Sequence, residues 1–137
     1  MSVRTYHDSN SRLRALVIPA SYSVQGIEFL TASDQSQQMG IMRRPEGYRV
    51  DPHEHKVQSR IITDTNEVLF VRSGLIEIEL FNENHEVTDR FELGPGDAVL
   101  LGAGGHGVRF MVESEVLEVK QGPYSQVQDK VRFTVDE

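Results

Sequence analysis

The sequence predicts an all-β protein, an antiparallel sandwich or barrel, on three observations. Leu75–Phe81 alternates cleanly, with Ile76, Ile78 and Leu80 on one parity and Glu77 and Glu79 on the other, as in a strand with one buried face. Apolar runs of similar length recur about every ten residues, separated by Gly, Pro and Asn turns. No stretch carries an apolar stripe at helical period.

In chain order, residues 1–26 are polar and irregular apart from Leu13–Ile18, an apolar island that reads as an outer strand or an arm packed on a neighbour. Gly26 leads into a strand at Ile27–Leu30. Ser33–Gln38 is a polar loop, and Met39–Arg43 is a strand that Pro45-Glu46-Gly47 breaks. Tyr48–His55 alternates and reads as extended. Pro52 confines it to a sheet edge or a bulge, because proline has no N–H for the ladder. Ile61-Ile62 reads as a short strand, and Thr63–Asn66 is turn chemistry.

Glu67–Arg72 is apolar on both parities between its ends, and Ser73-Gly74 turns it into the alternating strand. Asn82–His85 is a hairpin turn before a strand at Glu86–Leu93. Gly94-Pro95-Gly96-Asp97 then turns into the short buried strand Ala98–Leu101. Gly102–Gly105 carries no bulky side chain, so the backbone can turn sharply or let another group come close. Strands at His106–Val112, Val116–Gln121 and Val131–Phe133 complete the pattern, with Gly122-Pro123 between the last two.

Composition bounds the function. A length of 137 residues fits one domain with a proper core. With 14 Lys+Arg against 21 Asp+Glu the net charge is −7, which argues against a general nucleic-acid binder, since that needs a cationic face. Cysteine is absent, so disulfides, thiolate metal sites and cysteine nucleophiles are excluded. No apolar run is long enough to cross a bilayer as a helix, and the N-terminal residues lack a signal-peptide core, so a cytoplasmic protein is expected.

Chemistry concentrates at Pro52-His53-Glu54-His55. In an extended segment, residues two apart share a face, so His53 and His55 project together with Glu54 turned away. Paired imidazoles form half of a first-row metal site. Glu67 shares a parity with Leu69 and Val71, and His106 with Val108 and Phe110. Each thus ends an apolar row, as expected where a β-barrel interior opens to a polar mouth. If Glu67 points inward, Val68 and Phe70 point outward, and that apolar strip suggests a homodimer interface or a second covering sheet. His85 falls in a polar hairpin and is expected to face solvent.

Two spacings resemble the cupin superfamily. Gly47, five residues, His53-Glu54-His55, then Glu67, six residues and Gly74 are similar to its first motif. Gly96, five residues, then Gly102-Ala103-Gly104-Gly105-His106 are similar to its second. Eleven residues separate His55 from Glu67 where the family has three or four, Gly102 stands where it has proline, and His106 arrives one residue early. A one-residue bulge among the glycines would correct the last. Glu118–Tyr124 more loosely resembles the end of small cupins tied to bacterial surface-sugar synthesis.

The resemblance implies an antiparallel cupin jelly-roll barrel (a double-stranded β-helix) over residues 26–137, with residues 1–25 as an arm or outer strand. It implies that His53, His55, Glu67 and His106 hold a divalent metal ion (Fe, Mn, Ni, Co or Zn). Three imidazoles and one carboxylate leave two positions open on a six-coordinate ion, enough to bind a substrate oxygen. The expected function is a metal-dependent oxygenase, isomerase or lyase acting on a small oxygenated or sugar-like metabolite, with Tyr48 or Glu118 moving a proton. Two alternatives stand beside it: a metal-free sugar-nucleotide isomerase or epimerase with His53 and His55 as acid and base, and a non-catalytic small-molecule-binding protein. Arg43, Arg60, Arg109 and Lys120 are further candidates for the mouth. Neither nucleic acid nor membrane is an expected partner.

Overall fold

The computed structural model describes residues 2–127 and 129–135. Its strands are β1 (Arg4–His7), β2 (Leu13–Ile18), β3 (Gly26–Phe29), β4 (Gly40–Arg43), β5 (Glu67–Ser73), β6 (Ile76–Phe81), β7 (Val87–Leu93), β8 (Ala98–Leu101), β9 (Gly105–Phe110) and β10 (Glu115–Lys120). The fold is all-β with every strand pair antiparallel. Among the described residues no helix is long and apolar enough to cross a membrane. The chain forms two compact units, Met1–Tyr22 with Thr65–Glu137, and Ser23–Asp64.

The larger unit holds a five-stranded sheet, in the order β1-β2-β8-β5-β10, and a three-stranded sheet, β7-β6-β9. Their facing rows form the core, in which Val71, Ile76, Ile78 and Val99 are fully buried. β5 and β6 make one long ribbon that passes from the first sheet to the second. On one flank it pairs with β8 and β7, and on the other with β10 and β9.

The passage between sheets is made at Gly74. Its φ of 93° lies in the left-handed region, and a Cβ there would collide with Ser114 Oγ and the Glu113 carbonyl. Ser114 Oγ accepts a hydrogen bond from the Leu75 N–H (2.9 Å) and closes the corner. The second passage, Gly94–Asp97, is held by Asp97, whose carboxylate accepts from the N–H groups of Gly94 (2.8 Å) and Ala20 (2.7 Å).

β2 is not an outer strand. It lies between β1 and β8, and both its parities are apolar because both faces are covered: Ala15, Leu16 and Val17 are all buried. β1 has no hydrophobic alternation to announce it. It is fixed by the ladder and by Tyr6, whose ring stacks on Phe91 at 4.8 Å.

The smaller unit is a β3–β4 hairpin followed by chain without a strand. Tyr48–His55 and Ile61-Ile62 do not form strands, and neither does Val131–Phe133 in the larger unit. Each lacks a partner ladder among the described residues, and alternation alone does not supply one. The bulge expected at the glycines before His106 is also absent. The β6–β9 ladder runs without a register shift from Ile76↔Phe110 to Phe81↔Gly105, and the turn is made by Gly104 at φ 86°.

Candidate functional site

The larger unit brings together three chemically active side chains. Asn66 and Gln121 clasp the start of β5 to the end of β10. Asn66 N–H donates to Gln121 Oε1 (2.9 Å), and Gln121 N–H to the Asn66 carbonyl (3.2 Å). That fixes the register Glu67↔Lys120 and Leu69↔Glu118, so Glu67, Leu69, Glu118 and Lys120 share the inward face. Glu67 and Glu118 are diagonal neighbours on adjacent strands, within reach for long side chains. His106 comes from the other sheet. It is registered with Leu80, a core residue, and its Nε2 donates to Glu67 Oε1 at 2.7 Å.

The backbone before His106 accounts for Gly102. Its N–H donates to the Arg14 carbonyl (2.8 Å), a bond proline could not make, and a Cβ would stand 2.5 Å from the Leu13 carbonyl. Glycine here lets the β8–β9 turn close tightly on β2 and present His106.

These groups line a cavity of about 630 Å³ with Lys120, Glu79 and the C-terminal residues Lys130 and Arg132. That volume lies in the ordinary range of small-molecule pockets. Glu67 is held down at about 2, first by the His106 hydrogen bond, against the opposing effect of burial, and further by the hydrogen bond from Glu118. Glu118 is pushed up, first by its hydrogen bond to Glu67, then by burial and the Glu67 charge. Of these two neighbouring carboxyl groups, Glu118 is the one that holds its proton to the higher pH. Lys120 is raised by its bond to Asp129 (3.1 Å).

The remaining sequence candidates divide as follows. His53 and His55, in the smaller unit, stand with rings edge to face, centroids 5.4 Å apart. His53 Nδ1 donates to the Asp51 carbonyl (2.7 Å), which leaves Nε2 with the free lone pair, the form in which ligating histidines are usually held. Tyr48 lies under the Arg44 guanidinium (4.4 Å to the ring centre), and Arg43 reaches Ser23. Arg60 is exposed, and Arg109 pairs in register with Glu77. His85 is exposed as expected, and its ring stacks on Phe133 at 4.0 Å. Within neither unit, among the described residues, do three or more His, Asp or Glu side chains stand close enough together to hold an ion.

Sequence reasoning overlooked Glu79, assigned to a solvated face. It is buried against Arg90, directly opposite on β7, at 2.9 Å. It also overlooked Asp129, Lys130 and Arg132, for which no periodic signal exists. Comparison with protein-family models, with curated proteins and with solved structures found no match.

Proposed function

We infer that the chain is a small-molecule enzyme of the cupin jelly-roll kind, with Glu67 and His106 as ligands for a divalent ion and Glu118 as the proton-carrying group beside them. The observation that carries this reading is the 2.7 Å approach of His106 Nε2 to Glu67 Oε1 at the wall of a metabolite-sized cavity. Nitrogen and oxygen ligands sit about 2.0–2.2 Å from a first-row ion, so neighbouring donors stand roughly 3 Å apart, close to the separation found here. Imidazole and carboxylate together suit Fe, Mn, Ni, Co or Zn. The bent β5–β6 ribbon, flanked on both sides by strands that follow it between sheets, supports the jelly-roll assignment.

A bound ion supplies Lewis acidity toward a substrate oxygen. The chain supplies the rest. Glu118 keeps a proton next to the ionised Glu67 and hands it to, or takes it from, a substrate in the cavity. Lys120 adds positive charge to the same wall. Within the smaller unit, His53, with Nδ1 already engaged, and His55 are proposed as metal-binding imidazoles.

The test is elemental analysis after loading with each candidate ion and desalting. About one ion per chain is expected in the wild type, with loss in Glu67→Gln and His106→Ala. Wild-type protein that retains none of the five ions would sink the metal reading. One observation favours a metal-free second reading: the Glu67–His106 hydrogen bond already satisfies both groups, as an acid–base dyad requires. Turnover that survives chelation would decide for it.

The outward row Val68, Phe70, Leu117 and Val119 is aligned on one face by the β5–β10 register, and Phe70, Leu117 and Val119 are exposed. We assign it to contact with a second copy of the chain, on the ground that a contiguous apolar strip is costly on a monomer.

A further inference from the structure

Residues 129–133 and Val135 form part of the lining of the Glu67/His106/Glu118 cavity, and the way this segment is held sets it apart from the sheets. Asp129 is tied to Lys120 at 3.1 Å. Phe133 packs edge-on against Phe81 (5.1 Å between ring centres) and flat against His85 (4.0 Å). Between these two anchors Val131 is 90% exposed. Among the described residues, no backbone hydrogen bond joins residues 130–135 to any strand.

The Phe133 ring has a seat shaped for it. Gly105 lies directly beneath, and a Cβ there would stand 3.0 Å from the ring. A second cavity, also about 630 Å³, shares the Phe133 ring and is walled by Asn82, His85 and the buried Arg14. Phe81, Gly104, Gly105 and Phe133 line both cavities, so the ring is part of the partition between them.

We propose that Asp129–Val135 is a flap over the Glu67/His106/Glu118 cavity, latched by Phe133 in the Gly105–Phe81–His85 seat, and that unlatching opens the cavity to a ligand. A segment with few buried contacts and no ladder bonds opens at much lower free energy than the strands it covers. With the ring seated, Lys130 and Arg132 line the cavity opposite the carboxylates. With it withdrawn, the partition toward Arg14 is lost as well. The flap belongs to the same cavity as the proposed enzyme site, but it needs no metal and no turnover to be true.

The experiment is tryptic cleavage of the full chain, followed by mass spectrometry at the bonds after Lys130 and Arg132, together with diethyl pyrocarbonate labelling of His106. Cleavage at both bonds should run about tenfold faster in Phe133→Ala than in the wild type, because proteolysis tracks the open population. Cleavage after Arg72 and Arg90, within the sheets, should be unchanged, and His106 should label faster. Gly105→Ala, whose Cβ would press on the seated ring and leave Phe133 in place, should accelerate the same cleavages by a smaller factor. Equal rates at Lys130 and Arg132 in wild type and both variants, or acceleration spread equally over the sheet sites, overturn the flap. Elemental analysis of the same variants reads the metal assignment separately.

Discussion

Glu67 on β5 and Glu118 on β10 lie diagonally across paired strands and share a hydrogen bond, and their carboxyl groups are driven in opposite directions. The asymmetry comes from His106, which reaches Glu67 from the other sheet at 2.7 Å. One carboxyl is held ionised to lower pH by a donor, and the other holds its proton to higher pH because its neighbour is ionised. Such a divided pair is the arrangement in which one carboxyl acts as acid and the other as base or ligand.

Removing the donor should remove the asymmetry. In His106→Ala the Glu67 titration should move up from about 2 toward the ordinary carboxylate range. Glu118 should fall as the pair becomes more alike. Carboxyl carbon NMR across the acid range reads both. A Glu67 midpoint unchanged in the variant would falsify the role given to His106.

Stability should depend on acidity with two opposite slopes. Glu67 is depressed in the folded state, so its contribution is present above the ordinary value near 4.5 and is lost as pH falls toward about 2. Glu118 is raised, so its contribution is full below 4.5 and is lost as pH rises through its elevated folded value. Denaturant unfolding at stepped pH should show Glu67→Gln flattening the acid limb and Glu118→Gln flattening the limb above it. Parallel profiles for wild type and both variants would contradict the assignment.

Gly74 cannot accept a side chain. Its positive φ and the collision with Ser114 predict that Gly74→Ala destabilises by about 2–4 kcal/mol. Urea unfolding measures this, and a loss below about 0.5 kcal/mol would mean the corner relaxes freely.

The outward apolar row gives a prediction of assembly. Wild-type protein should run as a dimer by light scattering, and Phe70→Asp with Leu117→Asp should run as a folded monomer. A monomeric wild type at micromolar concentration removes the self-association proposal.

Much of the larger unit was legible because its strands have one inward face. Ile76, Ile78 and Leu80 announced β6, and the parity of Glu67 with Leu69 and Val71 placed its carboxylate on the cavity side. That His106 would approach Glu67 was implied by the cupin resemblance alone; the apolar row expected behind it, Val108 and Phe110, is exposed. What stayed hidden depended on long-range register. Glu79 looked solvated until Arg90 was set opposite it, and Glu118 gained its meaning only when the β5–β10 ladder put it diagonal to Glu67. β1 has no pattern to read, since a strand that pairs through its backbone needs no apolar alternation. The strands expected at Tyr48–His55 and Val131–Phe133 carried the pattern and lacked the neighbour.

The hydrogen bond from the Ala20 N–H to Asp97 ties the start of the polypeptide to its middle, and β2 shields one side of β8. Trimming residues 2–22 as a dispensable leader would therefore lay bare the backbone of Ala98-Val99-Leu100-Leu101 along one side. An uncovered apolar edge of this kind recruits strands from other molecules. Shortened protein should precipitate on concentration even where its cavity residues are untouched.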